Sequence, residues 1–385
     1  MWTTYGYHGE YASITMIDTG VDSTHVANFG LDGPEVLLNC LYASPTASSC
    51  YQHVNHGAAV AGVMSARDNS AGYIGIAYAP YRFSSINVCN PSVGCPWSAL
   101  TGALDWAVSS GFARHVVNIS IQACDGNPSF ASSLAQAINA GILVVSIAGN
   151  TNYTCSSGSG AGTSGVTYPG KYSGVVAVSG TMEDDSFAIG TSPCSAGSRS
   201  GPEVDLSAPY WHPSMTAGGG WVTWCGTSFS APTVSAAAAV LWSANTAWSA
   251  AQVFDRLKLT AVDLPPSGHD SQFGWGRVDL YNAFSYVPPP PPPPPPPSPP
   301  SVVILGNSEI EANLSCQWGA IVSGGTAPFS YAWKVDGAPV GDNSDLLTYT
   351  NTGSAFTIEV VVTDADSRTA SNSLSVAIVS GAFCM

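Results

Sequence analysis

The sequence predicts an α/β protein: a parallel sheet flanked by helices, joined by a polyproline linker to a small all-β sandwich. Three observations carry that prediction. Up to Ala283, short apolar runs alternate with Ala-rich segments of helical spacing, the pattern of βαβ units. A proline tract from Pro288 through Pro297 then interrupts the chain. Beyond it, alternating β-rich runs are separated by turn residues. The expected divisions are 1–286, 287–300 and 301–385.

The first apolar run, Ser13 to Ile17, reads as a buried strand that presents Asp18 at its carboxyl end, followed by Thr19-Gly20-Val21-Asp22. In open α/β sheets sites are built at that end of the strands, although an aspartate there also simply opens a turn. His56-Gly57-Ala58-Ala59-Val60-Ala61-Gly62-Val63-Met64 reads as a tightly packed helix led by a histidine. Ile74 to Pro80 is expected to be a second strand, and Ser98 to Val108 a helix with Leu100, Leu104 and Val108 on one face. Val116 to Ile121 is a strand and Phe130 to Ala140 a helix ended by Gly141. Ile142 to Ile147 is a further strand, which delivers Ala148-Gly149-Asn150. Val175 to Ser179 and Val204 to Pro209 add two more strands, and Gln252 to Leu259 a late helix.

Between them, Gly226-Thr227-Ser228-Phe229-Ser230-Ala231-Pro232 leads into the apolar run Ala236 to Val240. That arrangement places Ser228 at a helix N-terminus, where unpaired N–H groups and the dipole favour negative charge. A serine there is ordinarily a cap. The upstream motifs change that reading.

Composition limits the partners. The chain has 385 residues, of which 45 % are hydrophobic and only 9 % charged, with 10 Lys+Arg against 25 Asp+Glu and a net charge of −15. An acidic surface repels nucleic acid and anionic membranes, and no apolar run is long enough to span a bilayer. No basic stretch followed by an apolar core opens the chain, so no signal peptide is visible. Of the 10 cysteines, several come as close pairs, Cys40 with Cys50 and Cys89 with Cys95, without CxxC spacing, which points to disulfides in an oxidising compartment and hence to a secreted protein. Connectivity is not deducible from sequence. Sequential pairing is the expectation: Cys40–Cys50, Cys89–Cys95, Cys124–Cys155, Cys194–Cys225 and Cys316–Cys384.

The order Asp, His, Asn, Ser, each in its own flanking motif, resembles the subtilisin-like serine proteases, the subtilases. The motifs are Ile17-Asp18-Thr19-Gly20-Val21-Asp22, His56-Gly57-x-x-Val60-Ala61-Gly62, Ala148-Gly149-Asn150, Val204-Asp205-Leu206-Ser207-Ala208-Pro209 and Gly226-Thr227-Ser228-x-Ser230-Ala231-Pro232, spanning residues 14–283. The resemblance implies a subtilisin-like parallel sheet and an endopeptidase acting on protein or peptide substrates. Ser228 would be the nucleophile, His56 the general base, Asp18 its orienting carboxylate, and the Asn150 side chain with the Ser228 N–H the oxyanion hole. It also places Ser120, Ile121, Gln122, Ala148, Gly149 and Thr167 along the substrate groove.

Departures from the family pattern are informative. Ala58-Ala59 follow His56-Gly57 where the family has Thr-His. Gln122 stands where the family has glycine, and is expected to narrow or reshape the groove in which a substrate strand would pair. Thr167, at the floor of the expected primary pocket, argues against very large side chains there. No cofactor is required for the chemistry. A structural calcium at the loop from Arg67 to Gly75 would use Asn69 and the carbonyls of Ala71 and Tyr73, yet Ala27 replaces the usual aspartate. The resemblance also implies a longer segment, and a propeptide that assists folding, ahead of the first catalytic strand. Only Met1 to Ser13 precede that strand here, so a processed, trimmed or truncated form is expected.

The tract after Val287 adopts extended polyproline II, a spacer of roughly 40 Å at about 3 Å per residue. Residues 301–385 resemble the immunoglobulin-like PKD repeats appended to secreted hydrolases, through Val322 to Trp333 and Val362-Thr363-Asp364-Ala365-Asp366, with Trp333 in the core. Such modules bind insoluble polymer or space the enzyme, and a monomer is expected. A binding or surface protein that kept the fold and lost catalysis is the alternative. A lipase would carry Gly-x-Ser-x-Gly, whereas Ser230 fills the last position.

Overall fold

The computed structural model describes residues 2–21, 36–40, 55–68, 72–90, 94–155, 165–192, 194–216, 220–286 and 298–384. It divides into two compact units, Met1–Val287 and Pro288–Met385. The polyproline tract and the Cys40–Cys50 pairing lie outside the described residues.

The first unit is built in the order α1 (Trp2–Tyr5), β1 (Ser13–Asp18), β2 (Val36–Cys40), α2 (Asn55–Ser65), β3 (Arg82–Asn87), α3 (Trp97–Ser109), β4 (His115–Ile119), α4 (Pro128–Asn139), β5 (Leu143–Ile147), β6 (Val175–Thr181), β7 (Val204–Pro209), β8 (Trp211–Thr216), β9 (Gly220–Cys225), α5 (Thr227–Ala244), α6 (Ala250–Leu259) and α7 (Leu280–Ser285). Seven strands form one sheet in the order β2-β3-β1-β4-β5-β6-β7, and every pairing is parallel. The chain leaves β1 towards one edge and later returns to place β4 on its other side. The carboxyl end of β1, where Asp18 sits, is therefore a topological switch point.

A sheet covered on both faces needs strands that are apolar on both faces, and these are. Ile14, Met16, Val116, Val145 and Ile147 point into a core shared with α2, α5, α6 and α7. Ile17, Val117, Ile119 and Val144 point the other way, onto α3 and α4. Helix α5 is buried through all but its last residue, and its run of alanines lets it lie close against the sheet. The antiparallel hairpin β8–β9 carries the chain from β7 back to the start of α5.

Two sequence expectations are corrected. Ile74 to Pro80 is not a strand. The backbone N–H groups of Gly75, Ile76 and Ala77 instead bond the Ala66, Val63 and Met64 carbonyls, closing the C-terminus of α2. Gly75 is required there, because a Cβ would stand 2.4 Å from Ala66 N. The pairing partner of β1 is β3, Arg82-Phe83-Ser84-Ser85-Ile86-Asn87, whose buried serines hide its strand character in the sequence. The strand expected over Val116 to Ile121 ends at Ile119, so Ser120-Ile121-Gln122 continues beyond the sheet. Strand β2 and the hairpin β8–β9 were not anticipated.

Disulfides join Cys89 to Cys95, Cys124 to Cys155 and Cys194 to Cys225 in this unit, and Cys316 to Cys384 in the second.

The second unit is all β: β10 (Ser301–Leu305), β11 (Glu309–Ile310), β12 (Ser315–Ser323), β13 (Ser330–Val335), β14 (Ala338–Val340), β15 (Leu346–Thr350), β16 (Phe356–Thr363) and β17 (Thr369–Ile378). They form a three-stranded sheet, β10-β12-β15, and a five-stranded sheet, β11-β17-β16-β13-β14. All pairs are antiparallel except β11 with β17. Trp318 of the smaller sheet and Trp333, Ile358, Val360 and Val362 of the larger share one core. Each tryptophan satisfies its indole N–H on a carbonyl, Trp318 on Asn307 and Trp333 on Ser344.

His115, on β4, is buried in the first unit with its Nε2 2.7 Å from Thr15 Oγ1. Burial lowers its pKa from 6.5 to about 4. The unfolded chain therefore takes up this proton first, and stability is lost as pH falls from about 6.5 towards 4, by about 3 kcal/mol for this one group. Denaturant unfolding at stepped pH should show that decline, and His115→Gln should flatten it by one proton's worth. An unchanged slope in the variant would rule His115 out as its source.

Candidate active site

Four chain segments meet at the carboxyl end of the sheet. Asp18 closes β1 and is fully buried. Its Oδ1 accepts from the Thr19 N–H at 2.6 Å and lies 2.8 Å from His56 Nδ1. His56 is the second residue of α2, and its side chain is 35 % exposed. What brings the helix so close is Gly57: a Cβ there would stand 2.1 Å from the Gly20 carbonyl oxygen. The Gly57 N–H also donates to Thr19 Oγ1 at 2.9 Å, so the turn after Asp18 and the start of α2 are locked together. Burial disfavours the His56 imidazolium, but the charge of Asp18 and its hydrogen bond outweigh that and hold the pKa above 6.5.

Ser228 is the second residue of α5 and is buried. Gly226 precedes the helix at φ +139°, a conformation L side chains rarely adopt. The ring of Phe229, next in the chain to Ser228, lies 5.9 Å from the His56 ring. Inside the helix, Pro232 has no N–H to give to the Ser228 carbonyl. That carbonyl accepts from Ser120 Oγ instead, at 3.0 Å. Ser120 in turn accepts from Asn118 Nδ2, and Asn118 Oδ1 accepts from Ser235 Oγ. This buried chain of hydrogen bonds ties the first turns of α5 to the end of β4.

Asn150 follows β5 and faces Ser228 through its side chain. The Thr227 N–H and hydroxyl donate to Asn150 Oδ1 at 3.0 and 3.1 Å, and the Tyr210 hydroxyl, whose single proton is shared with the Ala196 carbonyl at 3.0 Å, lies 3.2 Å from Oδ1. Burial pushes the Tyr210 pKa up, so the phenol keeps its proton. Because Oδ1 must receive these donors, the amide NH2 is the end left to act as a donor. An atom at the position of a Gly226 Cβ would be 3.6 Å from both Nδ2 and Oδ1 of Asn150 and 3.7 Å from Ser228 N. The Asn150 side-chain amide and the Ser228 N–H thus lie close to one another beside Gly226.

The remaining groove residues are placed as follows. Ala148 N donates to Val178 O, and Ala148 O accepts from Thr167 N at 2.9 Å and from Thr167 Oγ1 at 3.2 Å. Gly149, at φ +108°, has no room for a side chain, since a Cβ would meet Thr167 Oγ1 at 2.6 Å. Thr167 is fully buried beneath this segment. Ile121 packs on the α3–α4 core. Gln122 turns its side chain to the Asn150 backbone, with Oε1 accepting from Asn150 N at 2.9 Å. Of the expected calcium ligands, Asn69 and Ala71 lie outside the described residues, as does Ala27. The Tyr73 phenol bonds Ser214, and its ring packs on Trp221. Among the described residues no three His, Cys, Asp or Glu side chains gather where they could share an ion.

Comparison with known proteins gives the family. The subtilase family pattern matches residues 9–276. The chain belongs to the subtilase family. It is 30 % identical over 280 residues to Subtilisin E of Bacillus subtilis (strain 168), covering 72 % of this chain and 67 % of that protein. It is equally 30 % identical over 280 residues to Subtilisin of Bacillus pumilus, covering 72 % of this chain and 92 % of that one. Subtilisin Savinase of Lederbergia lenta is 30 % identical over 279 residues, with 71 % and 91 % covered. As a subtilase, the chain is a serine endopeptidase.

Sequence reasoning missed the residues that hold Asn150. Thr227 was visible within the Gly-Thr-Ser motif but was read only as a neighbour of Ser228. Tyr210 and Arg199 carry no local signal, because they reach Asn150 from 60 and 49 residues away.

The His56 titration can be followed by its ring resonances. Wild type should titrate above 6.5. In Asp18→Asn the two raising influences disappear and burial alone remains, so the midpoint should fall below the wild-type value. A midpoint that does not move would mean that Asp18 is not what sets it.

Proposed function

We propose that Ser228 is the nucleophile of this endopeptidase, with His56 as general base and Asp18 as the carboxylate that orients it. The His56–Asp18 hydrogen bond of 2.8 Å supports the reading, together with the 5.9 Å approach of the His56 ring to Phe229, which follows Ser228 at the N-terminus of a buried helix. Nδ1 of His56 donates to Asp18, so Nε2 is the basic nitrogen that takes the Ser228 proton. Ser228 Oγ then attacks the scissile carbonyl carbon, and the carbonyl oxygen becomes an oxyanion. The Asn150 amide and the Ser228 N–H, helped by the positive end of the α5 dipole, receive that charge. His56 returns the proton to the leaving amine. The acyl-enzyme is hydrolysed by water through the same groups in reverse order.

The groove reading follows from the same segments. A substrate strand would run along 120–122 and 148–150, with its primary side chain above Thr167. The Thr167 side chain fills the space that Gly149 leaves open, which favours small and medium side chains. A hollow of about 240 Å³ lined by Asn150, Asn152, Ser195, Tyr210 and the Cys194–Cys225 disulfide adjoins Asn150.

The disulfides support a secreted enzyme, since such bonds persist in oxidising compartments. We read the chain as a peptidase domain over 1–286, a polyproline spacer over 287–300, and a PKD-type, immunoglobulin-like module over 301–385. Two sheets sharing one core around Trp318 and Trp333 support the last assignment.

A fluorophosphonate probe should label the purified chain, and Ser228→Ala should abolish the labelling. A folded wild-type protein that takes no label would favour the noncatalytic alternative. Asn150→Ala should lower kcat roughly 10²–10³-fold with KM little changed, the signature of a lost transition-state donor. Peptide activity should fall as pH drops through a midpoint above 6.5, where His56 protonates. Thr167→Gly should shift preference towards large aromatic primary side chains. A preference that stays put would remove Thr167 from the pocket floor.

A further inference from the structure

We propose that Gln122 is a positioning residue for the oxyanion hole, holding the main chain of Asn150 so that its side-chain amide meets the developing charge. This rests on the proposed role of Asn150. It replaces the expectation that Gln122 merely narrows or reshapes the groove.

The argument begins with what Asn150 must satisfy. Its side-chain oxygen is held from one direction by Thr227 and Tyr210. Its carbonyl oxygen accepts from Arg199 Nε at 3.3 Å and from Tyr153 N at 3.2 Å. Arg199 is itself fully buried and also donates to the carbonyls of Gly165 and Tyr153, so that side of the segment is fixed. Residues 149–151 run antiparallel to 197–199, with Arg199 N donating to Gly149 O at 2.8 Å and Thr151 N to Gly197 O at 2.9 Å, so the Asn150 N–H points to the opposite side of the segment. Gln122 Oε1 supplies its acceptor at 2.9 Å. Without it, the peptide between Gly149 and Asn150 would be held at its carbonyl, by Arg199 N, but not at its N–H.

Gln122 is itself well anchored. The next residue, Ala123, exchanges two backbone hydrogen bonds with Tyr168, at 2.8 and 3.0 Å. Cys124, one further on, is bonded to Cys155. The glutamine therefore projects from a segment fixed at both ends, by the Ser120–Ser228 bond before it and by the Ala123–Tyr168 pair after it. A rotation of the Asn150 main chain would swing the amide away from its place beside the Ser228 N–H, and oxyanion stabilisation is steeply geometric.

The test is a double-mutant cycle read as kcat and KM on a chromogenic peptide, with wild type, Gln122→Met, Asn150→Ala and the double variant. Methionine keeps the length of glutamine and has no strong acceptor, so the Asn150 N–H loses its partner. Gln122→Met should lower kcat about 10–30-fold with KM nearly constant, and should cost almost nothing further once Asn150 is replaced by alanine. Gln122→Gly opens room for water at the same N–H and should lose less than methionine. It also stands in for the methionine variant in the cycle if that one does not fold. Equal losses from Gln122→Met in the wild-type and Asn150→Ala backgrounds would overturn the proposal, because Gln122 would then act elsewhere. So would a rise in KM with kcat unchanged, which would make it a groove contact. A normal kcat in Asn150→Ala alone would instead overturn the oxyanion role of Asn150.

Discussion

The arrangement depends on one close approach of backbone to backbone. Helix α2 can set His56 over Asp18 only because its third residue has no side chain, so that the helix rests on the Gly20 carbonyl. Any Cβ at Gly57 would push the helix off the β1 turn, lengthening the 2.8 Å bond between the imidazole and the carboxylate. The raised His56 pKa depends on the same contact, since both raising influences come from Asp18 and the opposing one, burial, would remain without it. Chain packing thus sets the electrostatics of the site.

The serine side is held by a different device. A proline in the second turn of α5 leaves the Ser228 carbonyl without a helical donor, and Ser120 takes that place. A defect in the helix is converted into a tie between the helix and the segment that follows β4. The tie runs on through Asn118 to Ser235, entirely in apolar surroundings where an unmatched polar group would be costly. Polar groups that would each be unfavourable in a core are satisfied by one another. They fix the distance between the segment after β4 and the helix that carries Ser228.

Much of this was legible in the sequence where chemistry and local pattern coincide. Asp18, Asn150 and Ser228 could each be placed at a strand end or a helix start, because a short apolar run stopping at a polar residue reads the same way in either description. The sheet's order was less legible. Strand β3 carries Arg, two Ser and Asn among six residues, and only its burial between two other strands makes it a strand. Ile74 to Pro80 has the apolar composition of a strand, yet its N–H groups serve the end of α2. Composition reports what is buried, whereas hydrogen-bond partners decide whether the buried segment is a strand or a cap.

What could not be read was the support of Asn150, and the reason is physical. Thr227, Tyr210, Arg199 and Gln122 bind different atoms of one residue from four separate segments. None of these contacts has a periodicity or a fixed spacing. A hydrogen-bond donor that must meet charge arising only during reaction cannot be positioned by that charge beforehand. It has to be held by its neighbours in the resting protein, with its acceptor atoms occupied and its donors left over. Asn150 meets that requirement: its side-chain oxygen, its carbonyl and its main-chain N–H are all engaged, and its amide faces the space beside Ser228. Glutamine at position 122 adds the constraint on the main-chain N–H, and this links the segment after β4 to Asn150 through a single hydrogen bond.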